Sequence, residues 1–141
     1  MLADAAAVLD GKLYIHGGGW DQLASPRLPF TVPNVALVLV IEHEWDETHT
    51  DMELQVQIYD EDGKPTRFGA IGTIRVGRPI MAKPGAPVSN PLVLTFPNLT
   101  VQRTGRYIFR VQVNGEEIGS VPFSVYVPRE PPLPPGVQPP S

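Results

Sequence analysis

The side chains with chemistry to offer gather in two stretches. Leu13-Tyr14-Ile15 runs into His16-Gly17-Gly18-Gly19-Trp20, and Glu42-His43-Glu44-Trp45-Asp46-Glu47-Thr48-His49-Thr50-Asp51 brings five carboxylates and two imidazoles into ten residues. A strand that ends in glycines presents backbone N–H groups, which stabilise the negative charge of a tetrahedral intermediate when a nucleophile lies within reach. Imidazole with carboxylate suits zinc, manganese or iron, and His43, Asp46 and His49 are the ligands this spacing offers. Neither set is complete. The serines, Ser25, Ser89, Ser120, Ser124 and Ser141, all lie outside a Gly-x-Ser-x-Gly elbow, there is no cysteine, and the acidic stretch lacks a His-Glu-x-x-His ligand spacing. We therefore expect no catalytic residue and no cofactor. The acidic stretch reads first as a solvated loop pinned by Trp45. Gly17, Gly18 and Gly19 read as structural glycines that let a strand bend or bulge so that another backbone or the Trp20 ring can approach.

The glycine string closely resembles the oxyanion-hole motif of lipase and esterase α/β-hydrolases, and that resemblance alone implies an esterase. The missing serine disfavours it, and the chain has no room for that fold's parallel sheet and helices. Asp60-Glu61-Asp62-Gly63 opens like a calcium loop, but Lys64 and Ile71 fall where an EF-hand needs oxygen ligands, so a hairpin turn is expected there. Arg75, Arg78, Lys83, Arg103, Arg106 and Arg110 lack interleaved aromatics for base stacking. With 11 basic against 15 acidic side chains and a formal charge of −4, nucleic acid is not the expected partner.

Seventeen prolines and thirteen glycines leave little room for long helices, since an interior proline costs a helix about 3 kcal/mol. Strands fit between them. Met52, Leu54, Val56 and Ile58 alternate with polar residues, as do Tyr107, Phe109, Val111 and Val113, interrupted only by Ile108. Asn114-Gly115 is a strong hairpin turn, followed by a return strand with Val121, Phe123, Val125 and Val127 on one face. Pro122 has no amide hydrogen, which puts that strand at an edge or at a bulge. Val35–Ile41 is apolar on both faces and reads as a central strand, and weaker strands are expected near Ala70–Val76 and Pro91–Phe96. At the N-terminus Ala5-Ala6-Ala7 favours helix, whereas Asp10-Gly11 before Lys12-Leu13-Tyr14-Ile15 favours a hairpin; we expect the hairpin, because so short a helix is marginal. The sum is an all-β fold: an antiparallel two-sheet, immunoglobulin-like sandwich of about eight strands over residues 1–127, with a Pro-rich extended tail over 128–141.

The opening residues lack a basic start and an apolar signal core, so a cytoplasmic protein is expected. The longest apolar run, Val35 to Ile41, is seven residues where a membrane helix needs about 20, so no membrane is expected. Asn98-Leu99-Thr100 reads as a chance sequon. In the tail, Arg129, Pro132, Leu133 and Pro135 follow the pattern of a peptide that docks in an SH3-type groove. The glycine-rich strand end offers Trp20 and Asp21 as a second contact surface.

Gly105-Arg106-Tyr107-Ile108-Phe109-Arg110-Val111 resembles the entry to an immunoglobulin-like F strand, which implies a tyrosine corner at Tyr107 and hydrophobic packing of Phe109 in place of a disulfide. More broadly, Ala3-Asp4-Ala5-Ala6, Asp10-Gly11-Lys12-Leu13-Tyr14, Gly17-Gly18-Gly19-Trp20-Asp21, Pro29-Phe30, Asp60-Glu61-Asp62-Gly63, Val76-Gly77-Arg78-Pro79 and Gly105-Arg106-Tyr107 are together similar to a family of small, uncharacterised bacterial proteins frequent in actinobacteria. That resemblance implies a stand-alone cytosolic β-sandwich and brings no activity or site residues. The function expected is that of a non-enzymatic protein-interaction module whose partner is a protein, a second copy of the chain included. The alternative is a sandwich that binds a small ligand or divalent metal between Gly17–Asp21 and the His43–Asp51 loop.

Overall fold

The computed structural model describes residues 1–128 and 135–136. Nine strands follow one another: β1 (Leu2–Leu9), β2 (Lys12–Trp20), β3 (Gln22–Ala24), β4 (Phe30–His43), β5 (Asp51–Tyr59), β6 (Pro65–Arg75), β7 (Val88–Val101), β8 (Gly105–Val113) and β9 (Glu116–Tyr126). One short 3-10 turn, Trp45–Glu47, follows β4. Two sheets, β2-β1-β4-β7 and β3-β9-β8-β5-β6, face each other as a sandwich.

Alternation decides most of this. Met52, Leu54, Val56 and Ile58 of β5 are buried, as are Tyr107, Phe109, Val111 and Val113 of β8. Between the sheets Phe109 meets Phe96 edge-on with centroids 5.4 Å apart, while Phe123 stacks on Tyr107 at 5.4 Å and receives the edge of Trp20 at 6.4 Å. Each fully buried ring contributes about 1.5–3 kcal/mol by leaving water. The turns use the residues that tolerate positive φ: Asp10-Gly11 at 51° and 73° closes the N-terminal hairpin, and Asn114-Gly115 at 51° and 81° closes β8-β9. The N-terminal alanines are thus strand, held by pairing that runs from Ala3↔Gly18 to Leu9↔Lys12.

β4 explains the doubly apolar run. Val35, Leu37 and Ile41 join the core between the sheets, whereas Ala36 and Val38 pack with Ala3, Ala6, Leu13 and Val93 in a second cluster. At the start of β1's lane Met1 exchanges hydrogen bonds with Val38 of β4 in both directions, each 2.8 Å. Backbone groups alternate sides along a strand, so Asn34, Ala36, Val38, Val40 and Glu42 turn theirs toward β1 and the intervening residues toward β7. Pro97 and Pro91 of β7 lie opposite Asn34 and Val40, where β7 needs no N–H. Prolines that look like strand breakers are therefore carried without cost to the ladder.

Several boundaries differ from the sequence reading. β4 spans 14 residues, paired with β7 from Phe30↔Val101 to His43↔Val88, so both strands outrun the apolar segments Val35–Ile41 and Pro91–Phe96. β9 ends at Tyr126, which leaves Val127 exposed instead of on the inner face. The sandwich is not wholly antiparallel, because β3 runs parallel to β9 through Gln22↔Ser124, Leu23↔Val125 and Ala24↔Tyr126. The chain crosses from one sheet to the other at Asp21, so the strand that starts again there must follow β9 in its own direction.

Candidate functional site

Among the described residues one flank of the sandwich is open, and it is built from the edges of both sheets. On the first sheet, β1 accompanies β4 only as far as Met1 opposite Val38. Beyond it the N–H and C=O groups of Val40 and Glu42 point outward with no strand beside them among the described residues. On the second sheet, β3 covers only Ser124–Tyr126 of β9, and Ser124 N–H donates to Asp21 O at 2.8 Å. The same alternation turns Pro122 to the outside, so this edge lacks a donor where a new strand would need one.

Between the two edges lies a cavity of about 390 Å³ lined by Leu39, Ile41, Val111 and Val121 among others. Val40, 62% exposed, and Ile118, 46% exposed, stand at its rim. Ile118 is the extra residue of a bulge: the register moves from Val111↔Gly119 to Gln112↔Glu117. An apolar slot with hydrogen-bonding groups along its border suits an extended polypeptide, and Glu42 and Ser120 are the polar side chains of its lining. Sequence reasoning located Pro122 and the apolar run of β4 but missed the flank. Its signal was the pairing of those two features on opposite sheets.

The expected sites are placed as follows. Gly19, at φ 86°, is the extra residue where pairing shifts from Leu2↔Trp20 to Ala3↔Gly18. Gly17, at φ 58°, lies against the Asp4 side chain, and a Cβ there would overlap its carboxylate. The Trp20 ring, half-buried against Phe123, is spent on the core, with its Nε1 lacking a hydrogen-bond partner. Asp21 is exposed and uses its carbonyl to hold β9. In the tail, Arg129, Pro132 and Leu133 lie outside the described residues, and Pro135 is exposed in a turn with Gly136.

His43, Asp46 and His49 are not brought together. His43 takes the next inward position of β4 after Ile41, 1% exposed, with no hydrogen-bond partner for Nε2. Asp46 is exposed on the 3-10 turn, and His49 is exposed at φ 62° with its N–H donated to Val76 O at 2.8 Å. Among the described residues no three His, Asp or Glu side chains converge as a metal would require. The loop is instead internally bonded: Thr48 Oγ1 donates to Trp45 O at 2.6 Å, Arg78 Nε donates to Thr48 Oγ1 at 2.6 Å, and the Arg78 guanidinium lies 3.8 Å from the Trp45 ring centre.

A second cavity, of about 320 Å³, sits by the Asp60–Gly63 turn. Part of its polar lining is engaged within the chain, by one ion pair and three bonds from backbone N–H groups. Arg103 reaches Asp60 at 3.4 Å, Arg106 N–H donates to Glu61 at 3.1 Å, and Asp60 Oδ1 accepts the N–H groups of Asp62 and Lys64 at 3.0 and 2.9 Å. Asp60 thus works as the acceptor of a hairpin turn. Arg75 and Arg110 likewise face Asp51 at 3.6 Å and Glu117 at 3.2 Å.

No curated protein and no solved structure matches the chain. The chain belongs to a family of unknown function, DUF6941, matched over residues 1–126.

Proposed function

We propose that the protein is a non-enzymatic, cytoplasmic protein-interaction module that engages its partner through the open flank between β4 and β9. The observation that carries this reading is the β4 edge at Val40 and Glu42, unpaired among the described residues, beside an apolar slot, the arrangement into which an extended chain adds as a strand. An immunoglobulin-like scaffold is supported by two features: the bond from Tyr107 to the chain upstream of β8, and the consecutive β9-β8-β5 order in the larger sheet. Ion pairing of Arg75, Arg103 and Arg110 with acids supports a protein partner over nucleic acid.

The test is capture from a lysate of the source cells, with the full chain compared against Val121→Lys in the slot and Ile71→Lys on β6. A protein retained by the full chain and the Ile71 variant but lost from the Val121 variant supports the flank. Identical captures on all three overturn it. A chain ended at Val127 separates the flank from the Arg129–Pro135 peptide, whose docking role predicts loss of the partner with the tail.

A further inference from the structure

We propose that the opposite flank of the sandwich, between β6 and β7, is a second docking site, which takes an acidic, extended peptide as an added strand on β6. It lies on other strands than the β4–β9 flank and does not depend on that reading. Glu53 donates its N–H to Asn114 Oδ1 and accepts the Asn114 N–H, both at 2.9 Å, so its backbone groups face β8. Alternation then turns Met52, Leu54 and Val56 toward β6, where their partners are Ile74, Gly72 and Ala70. The N–H and C=O groups of Gly69, Ile71 and Thr73 point away from the sheet, with no strand beside them among the described residues. Upstream, Gln57 Nε2 already donates to the carbonyls of Thr66 and Phe68 at 2.7 and 3.0 Å, so the open window begins at Gly69. β7, the other bank, has Pro91 and Pro97 where outward donors would be.

The cleft between the two banks selects the side chains. Ala70 and Gly72 lie opposite buried Val56 and Leu54 and so face inward, yet both are exposed. A Cβ on Gly72 would meet no atom within 4 Å. The space is about 250 Å³ and is lined by Leu54, Ile74, Leu92 and Leu94 without an aromatic ring. An added strand sets every second side chain on this inner face, so short aliphatic residues opposite Ala70, Gly72 and Ile74 complete the core there. Charge fixes the ends. From Lys64 to Gly115 the sequence contains no aspartate or glutamate, although the chain's formal charge is −4, so both banks are free of acid. Arg67 and Arg75 flank the window on its outer face. Among the described residues Arg67 meets the Phe68 ring at 5.1 Å and no carboxylate, while Arg75 reaches Asp51 at 3.6 Å with the two side chains 61% and 67% exposed. The occupant therefore carries a carboxylate at each end. A second copy of β6 would bring only arginines, and a nucleic acid would find no ring in the cleft on which to stack.

The probe is the synthetic peptide Glu-Val-Thr-Val-Thr-Val-Thr-Val-Glu, which reads the same in either direction, labelled and titrated with the full chain by fluorescence anisotropy. It should bind, and more weakly as salt rises, whereas the shuffled Glu-Val-Val-Thr-Thr-Thr-Val-Val-Glu should not. Gly72→Val fills the cleft. Thr73→Pro removes an outward donor and leaves the ladder intact, because Thr73 lies opposite Glu53 and spends no N–H on β5. Each variant should abolish binding while keeping its denaturant midpoint. Arg67→Glu should weaken binding, and Val121→Lys, in the β4–β9 slot, should leave it unchanged. A second measurement needs no variant: the peptide should slow hydrogen exchange at the amides of Gly69, Ile71 and Thr73. A peptide that does not bind, that binds no better than its shuffled form, or that leaves those amides unprotected overturns the proposal. So does binding that survives both Gly72→Val and Thr73→Pro, and so does stronger protection of the same amides by oligothymidylate. The capture experiment on the β4–β9 flank is untouched by any of these results, so the two readings fail separately.

Discussion

The Tyr107 hydroxyl donates to the carbonyl of Arg103, four residues upstream, at 2.8 Å, while the Tyr107 ring lies stacked on Phe123 across the β8-β9 hairpin. One side chain thereby ties the turn before β8 to the core. Tyr107→Phe keeps the ring and removes the bond, leaving the Arg103 carbonyl without that partner. It should cost about 1 kcal/mol, read as a lower denaturant midpoint at unchanged slope. An unchanged midpoint would mean that water replaces the hydroxyl at no cost.

Gly17→Ala combines two penalties, a positive φ and the overlap of its Cβ with Asp4. A loss of about 1–2 kcal/mol is expected. Asp4→Ala in the same chain should recover the part due to overlap and leave the backbone part. If the double variant is no more stable than Gly17→Ala alone, the contact with Asp4 carries none of the effect.

His43→Leu removes a buried nitrogen with no hydrogen-bond partner and keeps an inward apolar side chain. Stability should stay level or rise by up to about 1 kcal/mol. A marked loss on thermal unfolding would show that the imidazole makes a polar contact of its own.

Burial holds the Met1 amino group below its ordinary pKa of 8.0 while its N–H donates to Val38 O at 2.8 Å. The unfolded chain then binds the proton more tightly than the folded one, so this group's contribution to stability rises with pH through the interval below 8.0 and levels off above it. Comparing denaturant midpoints of the free and N-acetylated protein isolates the effect. The rise should be present only with the free amine; the same pH slope in both would remove Met1 as its source.

Much of the sandwich is legible because its strands have one wet face and its turns have turn chemistry. Met52–Ile58 and Tyr107–Val113 alternate cleanly, and Asp10-Gly11 and Asn114-Gly115 sit at positive φ where hairpins need them. The true reach of β4 and β7 was hidden by Pro91 and Pro97, since the direction in which a strand turns its N–H groups is not written in hydropathy, and by Pro33, which falls in a gap of the pairing between Val32↔Leu99 and Asn34↔Pro97. β3 was invisible: Gln22-Leu23-Ala24 is too short for a period, and its parallel partner lies at the other end of the sandwich domain. At the site, His43 looked like part of the acidic loop because its sequence neighbours are charged. Extending the inward series Val35, Leu37, Leu39, Ile41 by one step would have placed it in the interior. The open flank arises from where β1 and β3 stop pairing, a property of two contacts distant in sequence.

The parallel pairing of Gln22–Ala24 with Ser124–Tyr126 also sets a schedule for synthesis. The strand that needs this partner leaves the ribosome long before β9 exists, and β4 must likewise wait for β7 through the whole length of β5 and β6. Early local structure is confined to hairpins such as β1-β2 and β5-β6, whose apolar faces have nothing opposite them until the later strands arrive. The nascent chain therefore passes through a long interval in which sheet edges and half a core are open to chaperones and to neighbouring chains, and folding completes only as its last strand is released.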